Sequence, residues 1–376
     1  MAQVAAPVIA IGPAVPPPDR PALLSEVVAY GQVAVRLGRG TRQVQILDGR
    51  VQLARARVSE GPRRLSLAVA PGRHEIRVRA VGLGGSRLGA TRTVWVLPTS
   101  ARRVGRIGGF VDTGLQRDLE RLATGAPAIT GIYVQHLLTG CGAAINAGAQ
   151  FPAASTLKSG ILVHAVRRGG VPASLLDAMV LDSSDLAAND VIGRVGGAAA
   201  ITRTLADLGL RQALVRRPYI IDRQSNARRS GRGRRRIEVQ TTAQPALFTN
   251  FIITPAELAT LMAAIHRGAL GAGGVGRLGI SRRAARDEIL VRLLNVKDRS
   301  KLVAGLPSGV PVAHKSGYTT QTKHDGGIVY LRSGPVAVAV MSWSASGVSD
   351  GWGDGFIARV ATASRAHLVA GGRCGQ

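Results

Sequence analysis

"FPAASTLKSG", residues 151–160, decides how the rest of the chain is read. A turn of small residues precedes Ser155, Lys158 follows one helical turn later, and an apolar run, "ILVHAV", comes next. The pattern predicts a largely apolar, central helix that begins at this turn. Residues i and i+3 share a helical face, so the lysine amine comes within hydrogen-bonding reach of the serine hydroxyl. A free serine is a weak nucleophile and needs a base beside it. Lysine becomes that base when burial or a neighbouring cation lowers its pKa. The helix N-terminus also presents unpaired backbone N–H groups, which stabilise an oxyanion. An isolated S-x-x-K is commonly chance, so the reading depends on what surrounds it.

Working outward, the C-terminal part mixes helices and strands. "TGLQRDLERLA" predicts a helix with a threonine cap, and "ITGIYVQHLL", "TGCG" and "AAINA" predict a hairpin. "DLAANDVIGRVG" and "AAAITRTLADLG" read as helices. "TPAELATLMAAIHRG" is another, with Thr254 as N-cap, Pro255 at the first position and Glu257 completing a capping box. "SRRAARDEILVRLLN" is amphipathic; "VPVAHKSGY", "HDGGIVYLRS" and "PVAVAVMSW" read as consecutive strands, and "GFIARVATASRAHLVA" as a final helix. This order predicts an α+β domain with an antiparallel sheet over residues 109–376. Upstream, residues 21–98 alternate apolar and polar positions with period two in short runs such as "VVAYGQVAVRL" and "HEIRVRAVG", which predicts a small β-sandwich. Residues 1–20 read as a flexible tail and residues 99–108 as a basic linker.

The 376-residue chain is 45% hydrophobic, enough for packed cores, but only 3% aromatic, so those cores must be built from Ala, Val, Leu and Ile. The net charge of +27 predicts affinity for anionic polymers, unless it simply reflects an arginine-rich genome. The arginines are scattered and no recognised nucleic-acid module accompanies them, which argues against a nucleic-acid partner. The run "RRSGRGRRR" reads equally as a polyanion-binding segment and as an exposed loop. No apolar stretch is long enough to span a membrane. The proline-broken N-terminus lacks the basic region of a signal peptide. The two cysteines, Cys141 and Cys374, cannot form a zinc site alone, and no His/Cys spacing completes one.

Two further segments support Ser155. "LDSSDLAANDVIG" follows the helix, and "AHKSGYTTQTKHDGGIVYL" places Lys315-Ser316-Gly317 on a predicted strand. With the S-x-x-K, this trio resembles the three-motif set of class A β-lactamases and penicillin-binding proteins. "TPAELATLM" is similar to the helix that follows the omega loop in that family. The resemblance covers residues 109–376 and implies a β-lactamase/transpeptidase-like fold, an antiparallel sheet with helices on both faces plus a helical subdomain. In residues 21–98, "VAPGRHEIRVRAVG" resembles a strand pair of immunoglobulin-like or fibronectin-III-like modules.

The resemblance implies acyl transfer from a β-lactam or a peptidoglycan-type peptide through an ester on Ser155, with neither metal nor cofactor. Lys158 would be the base, and Ser183 would pass the proton to the leaving nitrogen. Lys315 and Ser316 would bind the substrate carboxylate, and Gly317 would allow close approach of the strand. The N–H groups of Ser155 and Tyr318 would form the oxyanion hole. It also implies an extracytoplasmic location, anionic cell-wall polymers as further partners, and proximity of the final helix to the first hairpin. A Cys141–Cys374 disulfide is therefore expected, and with it an oxidising compartment.

Two departures stand out. Aligned on "AAN", the second motif reads Ser183-Ser184-Asp185, with Asp185 where the family has an asparagine. An ionised aspartate cannot donate to a substrate carbonyl. It can pair with Lys158 and raise that lysine's pKa. The alternative register, Ser184-Asp185-Leu186, keeps "SD" but loses the spacing to "AAN". The second departure is the omega-loop region, which is long and basic. There Glu238 is the candidate deacylation base by its separation from Pro255, with Asp222 as an alternative, but its flanks match a solvated glutamate better. His314 reads as a packing residue on the strand face opposite Lys315. His324 and Asp325 read as shaping a turn rather than as a metal pair.

Overall fold

The computed structural model describes residues 15–59, 63–105, 108–219, 239–247, 249–370 and 374. The chain divides into two compact units, with the division between Val96 and Leu97.

The N-terminal unit holds β1 (Ala22–Leu23), β2 (Val28–Tyr30), β3 (Gln32–Leu37), β4 (Gln43–Asp48), β5 (Val51–Arg57), β6 (Arg63–Ala68), β7 (Gly72–Gly82), β8 (Gly85–Leu88) and β9 (Arg92–Leu97). One sheet has the order β1-β3-β6, and the other β2-β9-β7-β4-β5, with β8 paired to β7. The alternation read along "VVAYGQVAVRL" is real, but it belongs to two strands. Gly31 has a φ of 70°, a left-handed conformation that glycine adopts without strain, and there the chain passes from one sheet to the other. Val33, Val35 and Leu37 from one sheet pack with Val44, Ile46, Ile76, Val78, Val94 and Val96 from the other in a single aliphatic core. Each such side chain contributes roughly 1.5–3 kcal/mol when fully buried.

The C-terminal unit opens with a 3-10 turn, Thr99–Arg102, in the stretch read as linker. Ala101 is buried there, and the Ser100 hydroxyl donates to the Leu331 carbonyl at 3.3 Å. Then follow β10 (Phe110–Val111), α1 (Thr113–Ala123), β11 (Ile129–His136), β12 (Cys141–Ile145), β13 (Phe151–Pro152), a 3-10 turn Ala154–Leu157, and α2 (Lys158–Arg168). The helices α3 (Ala173–Val180), α4 (Asp185–Arg194) and α5 (Gly197–Asp207) precede β14 (Leu214–Val215), β15 (Phe251–Ile253) and α6 (Pro255–Ala269). The remainder is α7 (Arg282–Ala284), a π-helical stretch Ala285–Leu290, α8 (Val291–Leu294), β16 (Val312–Thr319), β17 (Thr322–Tyr330), β18 (Pro335–Trp343) and α9 (Asp350–Leu368).

The main sheet has the order β10-β12-β11-β18-β17-β16 and is antiparallel except where β10 runs parallel to β12. α1 and α9 share one core with the sheet: Leu115, Leu119, Phe356 and Val360 pack with Ile132, Val134, Val338 and Val340. α6 covers the other face. A Cβ on Gly326 of β17 would lie 2.5 Å from the Leu258 side chain, so glycine is what lets α6 sit this close. α2 packs against α3, α4 and α5, and Lys158 through Ala165 are all buried. β16, at the edge of the sheet, packs on the turn that carries Ser155.

One cap and one capping box differ from expectation. α1 is capped by Asp112, whose carboxylate accepts from Leu115 N at 2.9 Å; Thr113 is already inside the helix. Thr254 caps α6 as expected, accepting from Glu257 N at 3.1 Å. The Glu257 carboxylate instead accepts the backbone N–H of Gln212 at 2.8 Å, so the reciprocal half of the capping box is replaced by a link to the segment before β14. Burial pushes the Glu257 pKa up to about 7, although backbone N–H donors pull the other way.

Candidate active site

The turn before α2 is held from both sides. Ala153 N donates to Phe251 O at 2.8 Å, and the Thr156 hydroxyl donates to Ala153 O at 2.6 Å. Ala154 sits at φ 46°, a left-handed conformation that costs a residue with a Cβ about 1 kcal/mol or more. Ser155 follows it directly and is half-buried. Lys158, one helical turn on, has no exposed side chain. Its ammonium donates to Ser155 Oγ at 3.0 Å, to the Ser183 carbonyl, to Ser183 Oγ at 3.4 Å and to an Asp185 oxygen at 2.5 Å. Burial lowers the Lys158 pKa, and the hydrogen bond and charge of Asp185 raise it; burial is the larger, and the net shift is downward. The expected Lys158–Asp185 pair is present and raises the lysine's pKa as expected, but burial outweighs it.

Ser183 also lies in the left-handed region, at φ 58°. Its hydroxyl accepts from Lys315 Nζ at 3.0 Å, so it stands between two lysines. Ser184 does different work: it caps α4, accepting from Ala187 N at 3.2 Å. The geometry therefore matches the register Ser183-Ser184-Asp185. Lys315 is 1% exposed and also donates to Ser316 O at 2.8 Å. Burial, followed by the nearby charge of Lys158, brings its pKa down to about 7.

The Ser316 hydroxyl and the Lys315 amine have different hydrogen-bond partners. Successive strand residues face opposite ways, and the Ser316 hydroxyl bonds to Asp298. Burial raises the pKa of that carboxylate, but the bonds from Lys301, Ser316 and Ser300 outweigh it and hold Asp298 below the usual range. Gly317 faces the nucleophile turn. A Cβ there would fall 2.9 Å from both Ser155 N and Thr156 N. Tyr318 is 64% exposed, with the ammonium groups of Lys323 and Lys301 4.9 and 5.8 Å from its ring centroid.

His314 is fully buried and bonds the Asp325 carboxylate at 2.9 Å, across the β16–β17 pairing. His324 and Asp325 lie inside β17, not in a turn: His324 bonds the Pro152 carbonyl at 2.7 Å, and Asp325 serves His314 and Leu302 N. Cys141 and Cys374 are disulfide-bonded, with Cα atoms 5.4 Å apart. Glu238, Asp222 and the run "RRSGRGRRR" lie outside the described residues. Among the described residues, no cluster of three His, Cys, Asp or Glu side chains could hold a metal ion. No helix among them is long and apolar enough to cross a membrane.

One site residue escaped the motif reading. Tyr219 lies over Lys158, its ring centroid 4.7 Å from Nζ, and its hydroxyl donates to the Ala154 carbonyl at 3.2 Å. It is stacked on Phe251 at 3.9 Å. Asn189, in the "AAN" of the second motif, grips its backbone on both sides: Oδ1 accepts Tyr219 N, and Nδ2 donates to Tyr219 O at 2.9 Å. Asn189 belongs to "AAN", but nothing in the sequence links it to Tyr219, 30 residues on.

Known structures share this architecture. PBP-A matches over 68% of this chain and 96% of its own, with a TM-score of 0.54 and 23% identity. A PBP-A mutant solved as an acyl-enzyme complex with penicillin G matches over the same shares, with a TM-score of 0.53 and 22% identity. A class A β-lactamase from Mycobacterium abscessus matches over 66% of this chain and 97% of its own, with a TM-score of 0.52 and 19% identity. At these identities the likeness speaks for the fold. The comparison with curated proteins found no match. A model of the beta-lactamase enzyme family matches residues 173–368, more than half of the chain, from α3 to the end of α9 and through both Ser183 and Lys315. With that match and an α+β fold shared with these structures, the chain belongs to the beta-lactamase enzyme family.

Proposed function

We propose that the C-terminal unit is a serine hydrolase that opens a β-lactam or a related amide through an ester on Ser155. The observation that carries this reading is the contact of 3.0 Å between Ser155 Oγ and the amine of Lys158, a lysine that burial drives toward its neutral, basic form. Ser155 Oγ attacks the carbonyl carbon while its proton moves to Lys158. The N–H groups of Ser155 and Tyr318 hold the oxyanion, in a space that Gly317 keeps free of a side chain. The C–N bond then breaks, and Ser183, set between Lys158 and Lys315, passes the proton to the leaving nitrogen. Lys315 is the candidate partner for a substrate carboxylate; Ser316, turned toward Asp298, is the weaker half of the pair read from the motif.

The same chemistry serves a peptide amide of the cell-wall type. An extracytoplasmic setting suits the Cys141–Cys374 disulfide, and the charge of +27 suits anionic wall polymers. The N-terminal unit fits an immunoglobulin-like module preceding the hydrolase, in keeping with its two packed sheets.

The test is intact mass after incubation with a penicillin, over a time course, for the wild type and Ser155→Ala. The expected result is a drug-sized gain that the alanine variant lacks. No gain at any time, with the drug left intact, would overturn the reading and favour a scaffold silenced by Asp185.

A further inference from the structure

We infer that Tyr219 controls how long the Ser155 ester survives, because its ring lies over the amine of Lys158 and its hydroxyl is tied to the turn that presents Ser155. This rests on the acyl-enzyme reading above and extends it to the second half of the reaction. Hydrolysis of the ester needs a water oxygen to add to the carbonyl carbon and a base to take the water's proton. The C–Oγ bond then breaks, and Ser155 recovers its proton.

The surroundings of Lys158 leave little room for that water. An ammonium has three N–H donors, and here Ser155, Ser183 and Asp185 supply four oxygens for them. The Tyr219 ring covers a further side at 4.7 Å. The ring is held firmly, by stacking on Phe251, by its hydroxyl bond to the Ala154 carbonyl and by the two bonds from Asn189. It is therefore fixed to the same strained turn that presents Ser155. Nor is its phenol a base. Burial, and then the charge of Asp185, push the Tyr219 pKa well above its ordinary value, so the group stays protonated. Among the described residues, the carboxylate that reaches Lys158 is Asp185, and it is tied up in the ion pair. Around Lys158, the described residues thus favour slow loss of the ester.

The experiment follows the decay of the penicilloyl adduct by intact mass after excess drug is removed, in the wild type, Tyr219→Ala and Tyr219→Phe. The expected wild-type adduct lasts for hours. Tyr219→Ala should shorten its lifetime at least about tenfold, with a smaller effect on the acylation rate, and Tyr219→Phe, which keeps the ring, should retain the long lifetime. A merely structural role would lower both rates together. A wild-type adduct lost within seconds, or equal lifetimes in the wild type and Tyr219→Ala, would overturn the inference. Labelling with a fluorophosphonate, which needs only an activated serine, separates the two failures. Ser155 labelled in every protein but with equal adduct lifetimes removes the role of Tyr219 alone; Ser155 unlabelled by either reagent removes the acyl-enzyme reading and this inference with it.

Discussion

In the N-terminal unit, the buried polar side chains among the described residues are Ser25 and Thr41, both hydroxyls; the C-terminal unit buries Lys158, Lys301, Lys315, Lys323, Arg286, Asp112, Asp325 and five histidines. The first is stabilised as a small β-sandwich ordinarily is, by aliphatic side chains closing between two sheets. The second takes charged groups out of water, which costs several kcal/mol per ion unless partners compensate. Most of those charges are compensated: Lys301 by Asp298 and Asp354, Lys323 by Asp350, and Asp325 by hydrogen bonds with His314 and Leu302 N. Lys315 is the exception: it hydrogen-bonds the neutral oxygens of Ser183 and the Ser316 carbonyl, while Asp325 and Asp298 act on it through their charge. The contrast separates a unit held together by aliphatic packing from one whose core holds a lysine pair beside Ser155, with the shifted pKa values that cluster at functional sites.

That contrast can be broken by mutation in either unit. The largest effect expected is on Lys158→Ala, which should slow acylation of Ser155 by about 10²–10⁴-fold, the usual reach of a general base; stopped-flow acylation would measure it, and a loss of less than tenfold would remove Lys158 from its role. Next is Ile76→Ala in the N-terminal core, where the side chain is fully buried. It should destabilise that unit by about 2–5 kcal/mol in denaturant unfolding, leaving acylation unchanged. A parallel loss of acylation would show that the two units are not energetically separate. The smallest effect, and the one that sharpens the contrast most, is Asp185→Asn. Lys158 must be neutral to act as a base, so the acylation rate rises with pH through the Lys158 pKa. Asp185 raises that pKa. Replacing it should move the rising limb to lower pH and increase the rate at neutral pH a few-fold. An unchanged pH profile would show that burial alone sets the lysine.

What could be read from the sequence was mostly local. Ser155 and Lys158 meet because they are one helical turn apart, and Thr254 and Pro255 start α6 within four residues. The Lys158–Asp185 contact was also legible, but not which influence on the lysine wins, because that depends on how deeply the tertiary fold buries the amine. Less visible were features that depend on register or on distant partners. The Ser316 hydroxyl bonds Asp298, an aspartate in a loop before β16 whose charge also acts on Lys315. Gly31 divides a continuous alternating pattern because alternation does not say which sheet a strand joins. Tyr219 sits in "RRPY", with no motif around it, and reaches the site only through Asn189 and Phe251.

The disulfide changes what unfolding means for this chain. Cys141 and Cys374 are separated by 233 positions, and the segment between them contains Ser155, Lys158, Ser183, Tyr219 and Lys315. With the bond intact, the denatured C-terminal unit is a ring rather than a free thread, and in the chain-entropy account a ring of that size is worth about 5 kcal/mol to the native state. The N-terminal unit lies outside the ring and gains nothing from it. The redox potential of the surroundings therefore acts selectively, as a tether on the half of the molecule that carries the nucleophile and on that half alone.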